Sequence, residues 1–413
     1  MNSKVNFTET YFYLITYSSL TYIFIILNIN GNHHDSLSIG LFQTLVSFIT
    51  LGLSADFRSL YFTDKIYANL LIKFRAIIIS ALLIGLIIYF FKAPDSITKS
   101  LILWLSFKRI IDWIDEVIII SGNAFSLDKL FKYKYLINQV FFIAFLPLIY
   151  LKMSVYIHYY FLIWIAANFL ILKKYYMRFH FNNLRNQILG LSYINQKNLF
   201  ALQLISTLLV NLSNIAFRSI IFISFVPQKS SMIISSFALG GMFFSVTNNS
   251  ILPYLVQRYK KFANITLYLK NFLPLILVTL LSVIFLMWFF IDTLISLNIS
   301  YELVWLSFLS SGILFFSSFL RYSIIQLSKT LTLREDFFSQ TSFLCILIFF
   351  STHRPEHLIY STLYLALICF LLFSLKYNAL NKGKWATLIY LIIEIFLLSL
   401  TAYLVINAIG YLI

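Results

Sequence analysis

Lys108, Arg109, Asp112, Asp115 and Glu116 stand inside one apolar run, LILWLSFKRIIDWIDEVIIISGN. At 100° per residue these five ionisable groups fall within an arc of about 120° on a helix. Ile110, Ile114, Val117 and Ile118 cover the remainder. Charge inside a membrane span is expensive and marks function by default. The spacing also fits a self-neutralising ladder, Lys108 to Asp112 at i,i+4 and Arg109 to Asp112 at i,i+3, that locks helices together. Five such groups exceed what a staple needs, which favours the charged wall of a water-filled cavity, with Lys108 and Arg109 binding an anion and Asp112, Asp115 and Glu116 forming the coupling network.

A second stripe lies in the seventh apolar run. Gln203, Thr207, Asn211, Asn214 and Arg218 stand at i, i+4, i+8, i+11 and i+15, within about 80° of one another on a helix. Amides of this kind also serve helix packing. Arg218 is different, because its own run carries no acid. Its natural partner is therefore an anion from outside the chain, which makes Gln203, Asn211, Asn214 and Arg218 candidate substrate ligands. The first run offers the weaker series Thr10, Tyr13, Tyr17 and Thr21.

Two further places match one another. LGLSADFRSLYFTDK places Asp56 and Arg58 just past Gly52, and GGMFFSVTNNSILPYLVQRYKK carries Asn248, Asn249, Pro253 and Arg258. Each closes the second run of its half in polar, then basic residues, the trace an internal repeat leaves. Other signals are bland. His353 and His357 have i,i+4 spacing, but Pro355 between them opposes a helix and no third ligand follows, so no metal site is expected. His33 and His34 are expected as exposed loop residues on the same argument, and Glu394 reads as a lone packed acid or, less favoured, a coupling residue.

These residues need elements to position them, and composition says which. The chain has 413 residues, 60% hydrophobic, with 11% charged and a mean hydropathy of +0.87, whereas soluble domains carry about 25% charged residues. A polytopic all-α membrane protein follows. A net charge of +16 would point to nucleic acid in a soluble chain, but here the basic residues sit in short loops, where orientation and anionic lipid explain them. Cys345 and Cys369 lie in apolar runs and read as small buried hydrophobes. No cofactor is implied.

Apolar segments are expected near 10–29, 37–55, 68–91, 98–122, 134–151, 155–172, 199–226, 231–256, 265–291, 298–327, 337–352, 357–375 and 386–411. The first is long and lacks a small-residue cleavage site, so it is expected to stay as a span. The longest run that a bilayer would refuse is Lys173 to Lys197, with five basic residues and no acid. It divides the chain into an N-terminal six-helix lobe (1–172), a basic linker (173–198), a second six-helix lobe (199–375), and a basic loop with an extra apolar helix (376–413). Of 31 Lys and Arg residues, Lys73, Arg75, Lys108, Arg109 and Arg218 lie within apolar runs, and Lys92, Lys99, Lys152, Lys229 and Arg354 fall on one set of alternate loops. The other 21 fall on the opposite set, with the N-terminus and the linker. Basic loops stay in the cytoplasm, so the N-terminus is expected inside.

Two stretches carry a resemblance. NHHDSLSIGLFQTLVSFITLGLSADFRSLYF resembles the first helix hairpin, and NLSNIAFRSIIFISFVPQKSSMIISSFALGGMFFSVTNNSILPYL the seventh and eighth helices, of the polysaccharide (O-antigen) flippases of the multidrug/oligosaccharidyl-lipid/polysaccharide exporter superfamily. The resemblance covers nearly the whole chain in layout and about 80 residues in recognisable pattern. It implies two six-helix lobes around a central cavity that opens alternately to either side of the bacterial inner membrane. It also implies an undecaprenyl-diphosphate-linked oligosaccharide as substrate, with membrane lipids and surface-polysaccharide assembly proteins as partners. The family's cationic cavity residues match Arg58, Arg109 and Arg218 by position. The family has twelve or fourteen spans, against thirteen apolar segments here.

Two alternatives compete. A drug or cation exporter of the same superfamily needs an acidic or aromatic pocket, against which Arg218 argues. A membrane glycosyltransferase or polymerase needs positioned acid and base on a sizeable outer loop, and the loops here are a few residues long.

Overall fold

A computed structural model describes residues 33–47, 68–92, 156–176, 193–250, 299–328 and 332–382, with parts of 102–111 and scattered positions in 140–151. Every described element is helical. We label the helices α1 (His33–Ser47), α2 (Ala68–Lys92), α3 (Ile157–Tyr176), α4 (Tyr193–Ser224), α5 (Pro227–Ser250), α6 (Tyr301–Ser328), α7 (Leu333–His353) and α8 (Ser361–Lys382), with a 3-10 turn, Pro355–Tyr360, between α7 and α8. Among the described residues, Leu204–Ser224, Tyr301–Ile325 and Pro355–Leu380 are long and apolar enough to cross a membrane. The protein is thus a helical protein with membrane-spanning segments.

Local chemistry explains where several helices begin and end. Pro227 opens α5, where its missing N–H leaves nothing unsatisfied. Glu335 and Asp336 lie in the first turn of α7 and His353 in its last, the arrangement that complements the helix dipole. Arg354, at φ −147° and ψ 74°, then leaves helical geometry, as the residue before a proline prefers. Inside the apolar helices, serine hydroxyls donate back to the carbonyl four residues earlier: Ser213 to Leu209 (3.0 Å), Ser235 to Ser231 (2.7 Å), Ser310 to Leu306 (2.7 Å) and Ser317 to Ile313 (2.9 Å). No hydroxyl among these faces an apolar surround unpaired.

Six helices close a ring. α4 packs on α7, α7 on α8, α8 on α6 and α6 on α5, while α1, from far earlier in the chain, lies against both α5 and α4. All six contribute to one core cluster, with Leu37 of α1, Ile221 of α4, Ile233 of α5, Ile324 of α6 and Leu347 of α7 at its centre and Phe373 of α8 beside them. The tightest seam is α5 against α6. Gly240 sits where a Cβ would collide with the carbonyl oxygen of Val304 and come within 2.8 Å of the Ser307 Cβ. Ser307 donates to the Phe237 carbonyl at 2.8 Å across the seam, and the Phe244 ring covers Gly312, 4.9 Å from the ring of Phe308. Small residues let backbones approach in this way where no hydrophobic effect drives helices together. α2 and α3 instead expose large apolar side chains, such as Ile77, Phe91, Phe169 and Leu170, a surface that suits lipid.

Helix limits depart from the apolar segments at several ends. α1 opens at His33 rather than 37, so His33 and His34 are helical and not loop residues, α5 opens at Pro227 rather than 231, and α8 runs from Ser361 to Lys382 rather than 357–375, which puts Lys376 and Lys382 of the expected basic loop in a helix. α4 starts at Tyr193 rather than 199, and α3 runs to Tyr176, so Lys173, Lys174 and Lys197 of the basic linker are helical. α7 starts at Leu333 rather than 337, because the two acids of its first turn are buried and partnered.

Candidate functional sites

Arg218 lies six residues before the end of α4. It is partly buried, and its Nη1 donates to the backbone carbonyl of Gly40 on α1 at 3.1 Å. The bond joins positions 178 residues apart. Phe217 and Ile221 of α4, and Leu37 and Ile39 of α1, are buried on the two helices that this bond joins. The guanidinium is the cation of the α4 stripe that reaches the contact between the early and late parts of the chain.

The rest of that stripe behaves unevenly. Thr207 donates to the Leu204 carbonyl at 3.0 Å, and the Asn211 Nδ2 donates to the Thr207 carbonyl at 2.7 Å. Both side chains are turned back along their own helix. Asn214 is exposed. Gln203 is part of α4, but its side chain lies outside the described residues. Arg109 is partly buried in a helical stretch with buried Ile110 and Ile111, and nearby Ser106 donates to the Ile102 carbonyl at 2.7 Å. Arg58, Lys108, Asp112, Asp115 and Glu116 lie outside the described residues, so the ionic face proposed for the fourth run is represented by Arg109 alone.

A second site was not foreseen. Asp336, in the first turn of α7, accepts through one oxygen, Oδ2, from Arg321 of α6 (Nη2 at 3.0 Å, Nε at 3.2 Å), from Ser206 of α4 (2.7 Å) and from Thr332 (3.3 Å). Thr332 and Ser206 also accept from Arg321, at 3.1 and 3.4 Å. Each hydroxyl therefore takes from the guanidinium and gives to the carboxylate, an orientation that both charges reinforce. The adjacent Glu335, only 1% exposed, accepts from the Lys376 Nζ of α8 at 2.6 Å. Two acids and two bases thus fasten four helices with no net charge. Ser339, Gln340 and Cys369 are buried close by in sequence or space, Ser339 donating to the Asp336 carbonyl at 3.0 Å.

Pairing on this scale answers the cost of burial. A lone carboxylate away from water would lose several kcal/mol, and each acid here has a base at hydrogen-bond distance. The hint in the sequence was LRED immediately before FFSQTSFLCILIFF, two acids at the mouth of an apolar run. Counting only Lys and Arg places Arg321 and Lys376 among loop charges, and nothing in the periodicity of one helix points to partners 15, 41 or 130 residues away.

His353 stacks on Phe349 with ring centroids 4.6 Å apart, and His357 lies 5.7 Å from Phe350, so each histidine packs against an aromatic ring. Among the described residues no group of three His, Cys, Asp or Glu side chains could hold a metal ion. No protein-family model, curated protein or solved structure matches the chain.

Proposed function

We propose that this protein is a flippase that carries an undecaprenyl-diphosphate-linked oligosaccharide, an O-antigen or similar surface-glycan unit, across the bacterial inner membrane by alternating access. The observation that carries the reading is Arg218: a guanidinium inside an apolar span, at the contact of α4 with α1. A diphosphate is the anion such a group suits, because two N–H donors can grip phosphate oxygens together. A fixed cation there also lowers the desolvation barrier that the lipid headgroup otherwise meets.

The architecture that goes with this function is two six-helix lobes, 1–172 and 199–375, around a central cavity, with the N-terminus and the 173–198 linker cytoplasmic. The pairing of helix ends supports that orientation. The starts of α4 and α7 meet the ends of α6 and α8 at the Arg321–Asp336 and Lys376–Glu335 pairs, as consecutive antiparallel spans require, and the basic residues of the linker precede α4. On this reading the ion-paired end is cytoplasmic and the Arg218 end faces outward. Arg58, Lys108 and Arg109 would complete the cationic lining, Gln203, Asn211 and Asn214 would meet sugar hydroxyls, and Asp112, Asp115 and Glu116 would serve energy coupling.

Depletion of the protein in its native host tests the function. Lipid-linked oligosaccharide should accumulate in the inner leaflet while surface glycan falls. Unchanged surface glycan after full depletion overturns the proposal.

A further inference from the structure

Asp336 and Gln340 stand one turn apart on α7, and both are buried. The four hydrogen bonds that reach the Asp336 carboxylate, from Arg321, Ser206 and Thr332, all end on Oδ2, which leaves the lone pairs of Oδ1 for another donor. Gln340 is 6% exposed, and its amide oxygen Oε1 accepts no hydrogen bond from the described residues. An acceptor taken out of water without a donor forfeits the hydration it had in the unfolded chain, and native interiors leave few of them so.

The helix places this oxygen. Asp336, Gln340 and Phe343 are rooted within about 60° of one another on α7. Asp336 meets Ser206 of α4 through its carboxylate, and the Phe343 ring lies 6.2 Å from that of Phe217, three turns farther along α4. Gln340 is thus rooted between two contacts with α4. The buried polar residue of α4 between Ser206 and Phe217 is Ser213, whose hydroxyl hydrogen goes to the Leu209 carbonyl at 3.0 Å. What it offers across the seam is therefore lone pairs. A carboxylate oxygen, an amide oxygen and a hydroxyl used in this way are all acceptors, and acceptors cannot satisfy one another.

We propose that a buried water molecule is bound between α4 and α7, donating one hydrogen to Asp336 Oδ1 and the other to Gln340 Oε1. Side chains at i and i+4 of a helix have Cβ atoms about 5–6 Å apart, a gap that one bridging molecule spans. Water carries two donors on one oxygen, and a polar site with two or more such partners is where buried water is held. A metal cation also suits oxygen ligands, but the Arg321 Nη2 stands 3.0 Å from Oδ2 and the Lys376 Nζ is bonded to the adjacent Glu335, so a third positive charge would be repelled. The water completes the Asp336 network from the side that Arg321, Ser206 and Thr332 leave open. The inference holds whatever the protein carries.

The test uses the full chain in nanodiscs. X-ray radiolysis converts water to hydroxyl radicals that mark the side chains beside it, so a buried ring is marked where a water is bound against it. Phe343, 1% exposed and one turn on from Gln340, should be marked in the unaltered protein, whereas Phe315, equally buried but packed on Phe244 of α5, should not. Gln340→Leu should lose the Phe343 mark, and a high-resolution map of the unaltered protein should show ordered density within hydrogen-bond distance of both oxygens. Should Gln340→Leu fail to assemble, Gln340→Met is read in the same way.

Phe343 marked no more than Phe315, whether both are marked or neither, overturns the bound water. A Phe343 mark that survives in the assembled Gln340 variant overturns Gln340 as its ligand. A map in which the amide is reversed, with Nε2 donating straight to Asp336 Oδ1, overturns the bridge.

Discussion

Two arginines anchor opposite ends of the same ring of helices, and they are held in different ways. Arg321 faces a carboxylate, with Ser206 and Thr332 bridging the pair, and Lys376 repeats the arrangement on Glu335. Arg218 meets a backbone carbonyl. Removing one member of a buried ion pair typically costs about 3–5 kcal/mol, because a charge is left uncompensated. A hydrogen bond from a charged donor to a neutral acceptor is worth about 1.5–3 kcal/mol. The difference separates two kinds of fastening: α4, α6, α7 and α8 meet at ion-paired carboxylates at one end, while α1 and α4 share a bond from a guanidinium to a backbone oxygen at the other.

The largest effect should come from the ion pair. Asp336→Ala takes the carboxylate from the partly buried Arg321 and should lower stability by up to about 3–5 kcal/mol, seen as a sharp fall in the midpoint of thermal unfolding in detergent or nanodiscs. Combining Asp336→Ala with Arg321→Met should recover much of that loss. If the double variant is as weak as the two losses added together, the pair is not coupled and the contrast with Arg218 fails.

Next in size is Gly240→Val on α5. Its side chain would enter the space of the Val304 carbonyl and the Ser307 Cβ, neither of which is a flexible tip, so overpacking should cost about 1–3 kcal/mol. A thermal midpoint equal to that of the parent protein would show that the α5–α6 seam yields.

Arg218→Ala should have a smaller effect on stability, about 1.5–3 kcal/mol, and a large one on transport. Protein level and membrane insertion should stay near normal while surface-glycan display falls to a minor fraction, with Arg218→Lys in between because an ammonium lacks the bidentate fork. Full display by a well-expressed Arg218→Ala protein would remove the residue from the mechanism. The mildest perturbation is a topology reporter fused near Asn186 in the basic linker, which should read as cytoplasmic. A periplasmic signal would exchange the two ends of the comparison.

What could be read from sequence follows the range of each interaction. Arg218 stood out because its setting is local: one cation, one apolar run, no acid in that run. Its partner on α1 was not visible, since the bond spans 178 positions and ends on a backbone oxygen that any residue supplies. The period of 3.6 placed Thr207, Asn211 and Arg218 on one face, yet periodicity fixes where a side chain is rooted and not which way it turns. Asn211 turns to the Thr207 carbonyl. The Arg321–Asp336 pair was hidden for the reverse reason. Each of its residues sits at the edge of an apolar run, where a charge ordinarily meets water, and only the approach of three helices makes the site a buried one. Gly240 and Gly241 follow one another within α5, which is helical through both, and Gly240 marks close approach to α6, a role that depends on a partner helix about 60 residues on.

The central claim is that the protein moves a diphosphate-linked glycan lipid between leaflets, and vesicles test it most directly. Proteoliposomes carrying the purified chain and an undecaprenyl-diphosphate-linked oligosaccharide can be probed with a glycan-cleaving enzyme added outside, under an imposed proton or sodium gradient. The account predicts that, under at least one gradient, cleavage proceeds beyond the share initially in the outer leaflet, and that Arg218→Ala vesicles stop at that share. Cleavage that halts at the outer leaflet with the unaltered protein, under each gradient in turn, would contradict it.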